Sequence, residues 1–460
     1  MQSATPYYLT PAEFQGKCSR SSIRIPIQIE KAMAMKVEII HKETIKPSSP
    51  TPPDLKTVKL SLLDQFTPVS YIPLILFYPA CAERSQMLKT SLSETLTLWY
   101  PLAGRLKDNA YVECEDQGAE YLEARINCPL SEFLNKPDVE VLKQLLPAAV
   151  ETPEAATGNL LRVQTTFFDC GGLAIGVCIS HKMADAATVM TFIRSWAATA
   201  NGSSELVRPL FMGASTFPPI DMSIPMVPVK LMQRKCITKR FVFSGSKIAA
   251  LRTKVASTSV PKPSRVEAVS GLIWKGVMTA VRSNSGCFRP SVWAFSVNLR
   301  KRLVPALAEN YSGNCVVGFI GPKIMEDKEL ELQGLVGRIS KEMDKFGENY
   351  AKKLQVKGAL LAIREFSKEF GEIATSDNID FYICSSWCKY GIYDTDFGWG
   401  RPIWVSKTSR KVRNVAILMD TSDGDGIEAW LTLSEEDMAL LESNQELLEF
   451  AALNPSVPLS

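Results

Sequence analysis

Histidine is nearly absent: two residues in a chain of 460. That scarcity, with no second cysteine pair to join Cys384 and Cys388, argues against a zinc site, so those two thiols read as core packing. Long hydrophobic runs are missing as well. The longest candidate, Ile72 to Phe77, is interrupted by Pro73 and followed by Pro79, which excludes a membrane-spanning segment. An excess of one charge is also lacking, since a net charge of +3 spread without blocks leaves no nucleic-acid footprint, although it tolerates a phosphorylated ligand. The 11 cysteines are odd in number, scattered and without a signal peptide, as expected of reduced thiols in a cytoplasmic protein. There is no Gly-x-Ser-x-Gly elbow, no phosphate loop and no His-Glu-x-x-His helix. Gly171, Gly172 and Gly176 lack the spacing of a dinucleotide fingerprint. Ser422 to Gly426 has the acid density of a calcium loop with the wrong spacing, and strand-like flanks make it a hairpin turn. The chemistry left open needs no metal.

What is present centres on His181, in Ser180-His181-Lys182-Met183-Ala184-Asp185. Leu173 to Ile179 form an apolar run suited to a strand buried on both faces. From Ala186 onward Val189, Met190, Phe192, Ile193, Trp196 and Ala197 recur at helical spacing. The histidine therefore sits where a core strand turns into a helix, and an imidazole there can take a proton from an attacking alcohol. Against this stands the plainer role of a satisfied turn histidine. Asp185 has three openings: orienting the imidazole, capping the helix, or pairing with a distant arginine. Capping or an ion pair needs no special chemistry at this position. His41 reads as a solvent-facing residue of an edge strand.

With 46% hydrophobic and 22% charged residues, the chain is long enough for two full domains. Helix-like and strand-like segments alternate, giving an α/β (α+β) class. Residues 1–35 read as a disordered extension, Ser/Thr-rich and poor in acids in the manner of a transit peptide. Residues 36–207 make a first domain. A stretch with Pro209, Pro218, Pro219, Pro225 and Pro228 makes 208–236 a crossover linker, and 237–460 a second domain opening on a strand at 239–243 and a helix at 246–255.

Far downstream lies Asp396-Phe-Gly-Trp-Gly400, a tight loop whose glycines and tryptophan suit a structural role. His181-x-x-x-Asp185 together with Asp396 to Gly400, in this order, closely resembles the signature of the plant BAHD acyltransferases. The resemblance runs from about Val37 to Phe450, through Tyr100 to Arg105, Phe168 to Gly172, Asn298 to Arg300 and Gly426 to Trp430. It implies two chloramphenicol-acetyltransferase-like domains with mixed sheets around a channel, an acyl-CoA co-substrate and a small-molecule alcohol acceptor, in a monomer. His181 would be the general base, with Asp396 a second catalytic candidate. Asp185 would pair with Arg300, while Asp396, Gly398, Trp399 and Gly400 shape the CoA side. Lys247 and Ser264 fall where CoA is contacted. Lys46 to Pro52, Leu60 to Gln65 and Ser385 to Cys388 resemble the vinorine synthase-like branch, which implies acetyl-CoA as donor and a polycyclic limonoid-type or alkaloid alcohol as acceptor. Tyr311-Ser-Gly-Asn-Cys315 departs by one residue from the pattern of anthocyanin malonyltransferases, so malonyl transfer is the runner-up. A non-catalytic binding relative and an esterase using water are the readings from other classes.

Overall fold

The chain orders its strands into two large sheets and one small one. A computed structural model describes residues 35–79, 84–204, 207–220, 235–347, 359–374, 376 and 378–459. Residues 1–34 of the expected extension and 221–234 of the expected linker lie outside the described residues. In the first half the strands are β1 (Val37–Ile45), β2 (Thr57–Lys59), β3 (Tyr71–Tyr78), β4 (Arg105–Lys107), β5 (Tyr111–Glu113), β6 (Ala119–Ile126), β7 (Leu161–Phe168) and β8 (Leu173–Ser180). The second half contributes β9 (Ile237–Phe243), β10 (Ser291–Asn298), β11 (Val316–Ile324), β12 (Asp380–Ser386), β13 (Trp404–Ser406), β14 (Val415–Asp420), β15 (Ile427–Leu433) and β16 (Ala452–Leu453).

The first sheet has the order β1-β6-β7-β8-β3-β13. Its centre is β8, every residue of which is buried, as its uninterrupted apolar run predicts. Both of its neighbours, β7 and β3, run antiparallel to it, so burial on two faces here does not require a parallel sheet. Pro73 sits inside β3 without costing a bond to β8. Tyr71 donates its N–H to Val150 and Phe77 accepts from Ile403, so the odd positions of β3 direct their backbone polar groups away from β8. On that side β13 pairs only with Ile75 to Phe77, stopping short of the proline.

The second sheet has the order β11-β10-β12-β14-β15-β9-β16, mixed in direction: β10, β12 and β14 run parallel, the remaining pairs antiparallel. The expected hairpin at 422–426 joins β14 to β15. The helices Gly245–Val255, Arg265–Ser285 and Leu332–Lys345 bury their apolar faces in its core. The described residues from Met35 onward form one compact unit. Each sheet has its own apolar core, but the halves exchange pieces: Trp387, Phe397 and Trp404 belong to the first core, Leu62, Leu63 and Phe217 to the second. No helix among the described residues is long and apolar enough to cross a membrane.

Candidate active site

The turn after β8 presents His181, whose backbone N–H is tied to the carbonyl of Ser70 at 2.8 Å. Its Nδ1 lies 2.9 Å from the Ala184 carbonyl oxygen and 3.1 Å from Oδ1 of Asn314. The orientation of that amide is fixed independently, because Asn314 Nδ2 donates to Asp64 Oδ1 at 2.8 Å and to the His181 carbonyl at 2.7 Å. Both partners of Nδ1 are therefore acceptors, so Nδ1 carries the hydrogen and Nε2 is left with its lone pair. Burial pushes the imidazole below 6.5, and the positive charge of Arg410 pushes the same way. A neutral ring with a bare Nε2 is the form a general base needs.

Asp185 points the other way. It caps the helix Ala186–Ala200 through Thr188 N at 2.9 Å and receives Cys315 N at 2.9 Å. Two bonds from Arg300, at 2.7 and 3.0 Å, complete its shell. Capping and ion pairing, separate openings in the sequence, are thus met by one carboxylate. Burial alone would raise its pKa, but the Arg300 guanidinium and the backbone donors more than offset it and hold it below 3.8. Arg300 also donates to Thr188 Oγ1, Gly313 O and Tyr311 O, so the pair locks the start of this helix to the segment 298–315.

Two buried lysines have lowered pKa values. Lys182 donates to the carbonyl oxygens of Gln65 at 2.9 Å and Asp64 at 3.4 Å, and burial brings its pKa down to about 8. Lys407 is buried against the ring of Trp387, 3.7 Å from its centroid, and donates to Pro73 O at 2.5 Å. Burial, then Arg410, depresses it well below 10.5.

The loop Asp396 to Gly400 is anchored elsewhere. Asp396 Oδ1 accepts from Gly398 N at 2.7 Å and Gly400 N at 2.9 Å, and its carbonyl takes Asn201 Nδ2 at 2.9 Å. Gly398 and Gly400 have φ of 100° and 101°, the left-handed side that a Cβ disfavours. Phe397 is fully buried, edge-on to Trp196, and Trp399 stacks on it beneath the Arg84 guanidinium. Oδ1 of this catalytic candidate thus holds its own loop closed. Ser264 is likewise engaged, capping the helix Arg265–Ser285 in a reciprocal box with Glu267, and Lys247 Nζ donates to Glu449 O at 2.7 Å. Both lie beside a cleft of about 440 Å³ whose lining includes Ser246, Arg252 and Arg265.

Residues 35–448 match the Transferase family. The chain is 42% identical to akuammiline synthase 1 of Alstonia scholaris, over 92% of this chain and 99% of that one. It is 39% identical to limonoid 1-O-acetyltransferase of Citrus sinensis, over 92% and 100% respectively. The crystal structure of vinorine synthase superposes with a TM-score of 0.78 at 36% identity, covering 90% of this chain and 98% of that one. The chain belongs to the Transferase family, the plant BAHD acyltransferases. As a member it is an acyl-CoA-dependent O-acyltransferase with the mixed α/β fold of vinorine synthase.

Among the BAHD residues singled out from the sequence, the fold brings together His181, Asp185 and Arg300 and sets Asp396 to Gly400 on a separate aromatic cluster. It adds Asn314 and Asp64, which the sequence offered only as parts of longer motifs, Tyr311 to Cys315 and Leu60 to Gln65. Their separations from His181, 133 positions for Asn314, hide the contact from any local pattern.

Proposed function

We propose that His181 is the general base of an acetyl transfer from acetyl-CoA to a hydroxyl of a polycyclic acceptor, a limonoid-type triterpenoid or an alkaloid. Nε2 removes the acceptor proton as its oxygen attacks the thioester carbonyl. The tetrahedral adduct collapses, the CoA thiolate leaves, and the proton held on Nε2 neutralises it. No acyl-enzyme is needed, because both substrates held together supply the proximity. The observation that carries this reading is the commitment of the Nδ1 hydrogen to Ala184 O and Asn314 Oδ1.

The two sequence halves act as the lobes on either side of that histidine, with Asp185 and Arg300 joining them. The family resemblance assigns Lys247 and Ser264 to the CoA side; the cleft beside them carries Arg252 and Arg265 together with Asp423 and Asp425, and Arg265 is paired with Asp420. The names of the relatives favour acetyl and a limonoid or alkaloid alcohol over a malonyl donor. The protein works as a cytoplasmic monomer.

The test is acetyl transfer by the purified protein to a panel of limonoid and alkaloid alcohols, followed by mass spectrometry. His181→Ala is expected to lower kcat at least about a hundredfold. Because the ring pKa lies below 6.5, kcat/KM should hold down to mildly acidic pH and fall only below that value, as Nε2 becomes protonated. Full activity in His181→Ala, or an acid limb above 6.5, would overturn the assignment.

A further inference from the structure

We propose that Asp64 is a positioning residue for the base: by holding the Asn314 amide it keeps Oδ1 turned toward Nδ1 of His181 and so leaves Nε2 bare. The inference rests on the role given to His181 above and extends it by one residue. Asp64 stands at the third position of the short helix Leu62–Phe66, far from His181 in sequence, and is 5% exposed.

Its carboxylate takes four donors. Oδ2 receives Ser61 N at 2.8 Å and Ser61 Oγ at 2.6 Å; Oδ1 receives Asn314 N and Asn314 Nδ2, both at 2.8 Å. Burial pushes the carboxyl above its ordinary 3.8, and the four donors, which favour the ionised form, oppose that rise. Asn314 Nδ2 has two hydrogens, and Asp64 Oδ1 and the His181 carbonyl use both. Turning the amide over would set its oxygen against those two acceptors and its N–H groups against the Nδ1 hydrogen. Asp64 thus fixes the histidine tautomer through one intervening amide, as a carboxylate does directly in other acid–base sites. Lys182, donating to the backbone carbonyls of Asp64 and Gln65, holds the same short helix in place. The Ala184 carbonyl accepts from Nδ1 without help from Asp64, so losing the relay weakens the preference rather than abolishing it.

A plainer role is available, since Asp64 also closes the cap of its helix with Ser61. Ser61→Ala separates the two: it removes the cap hydroxyl and leaves both bonds to Asn314. The chain has only two histidines, so ¹⁵N-labelled imidazole spectra read the His181 tautomer directly, with His41 assigned by substitution. Asp64→Asn is expected to move His181 toward the Nε2–H form and lower kcat about tenfold, with KM for acetyl-CoA unchanged. Ser61→Ala should lower the melting temperature while keeping the Nδ1–H form. If Asp64→Asn does not fold, Asp64→Ser, whose smaller side chain admits water to the stranded donors, is read by the same spectra. An unchanged tautomer and kcat in the Asp64 variant, with His181→Ala inactive, overturns the relay alone. The same tautomer change in Ser61→Ala also overturns it, by tracing the effect to the helix cap. Activity in His181→Ala would instead remove the reading on which the relay depends.

Discussion

Two carboxylate–arginine pairs are buried to nearly the same extent, Asp185 with Arg300 and Glu428 with Arg240, yet their carboxyls end on opposite sides of their ordinary pKa values. Asp185 is held below 3.8; Glu428, for which burial is also the largest influence, is raised above 4.5 despite Arg240. The difference lies in the donors. Asp185 collects both terminal nitrogens of Arg300 and two backbone N–H groups. Glu428 has one nitrogen of Arg240 at 2.9 Å and the Trp404 indole shared at 3.2 Å between its oxygens, while the second Arg240 nitrogen goes to Pro455 O. A helix start offers free N–H groups to the residue that caps it, whereas a residue inside the β15 ladder finds its neighbours' N–H groups already used. The well-donated pair stands beside the His181 turn; the other ties Trp404 of the first sheet to the second.

Breaking these pairs should rank them. Arg300→Met leaves Asp185 ionised and buried without its counter-charge, and should remove about 3–5 kcal/mol of stability in denaturant unfolding. Glu428→Gln keeps an acceptor for Arg240 and removes a carboxylate whose ionised form is itself unfavourable at neutral pH, so it should cost at most about 1 kcal/mol. Equal losses would mean that the number of donors is not what separates them. The pH dependence sharpens the contrast. Asp185, with its folded pKa depressed, contributes stability that is complete above 3.8 and lost as pH falls below it. Glu428, with its folded pKa raised, works in reverse: its ionised form costs stability at neutral pH, and that cost is relieved as pH falls toward 4.5. Melting temperatures of Asp185→Asn should therefore lose part of the steep decline below pH 3.8. Those of Glu428→Gln should lack the gain that comes as pH falls toward 4.5. The smallest effect belongs to Asp396→Ala, outside both pairs. It frees Gly398 N and Gly400 N at an exposed loop, and should raise KM for acetyl-CoA severalfold with kcat little changed, at a stability loss of about 1 kcal/mol.

The core strand before His181 and the helix after it were legible because each carries its own period. The apolar run 173–179 became β8, and the spacing from Ala186 became the helix Ala186–Ala200. The Asp185–Arg300 pair came from resemblance and capping logic, and the structure adds that cap and ion pair are one carboxylate. Lys407 was not legible: nothing in the residues around it says that Trp387 lies under its ammonium group. Nor was the exchange between halves, since a three-residue strand such as Trp404–Ser406 is too short to declare its sheet.

The sequence alone determined the family and several of its strands and helices, and singled out one histidine as the candidate base, because periodicity and motif are properties of neighbouring residues. Which nitrogen of that histidine is free was decided only in the folded chain. Asn314 and Asp64 come from positions hundreds of residues apart, and the direction of an amide is set by the acceptors that folding places around it.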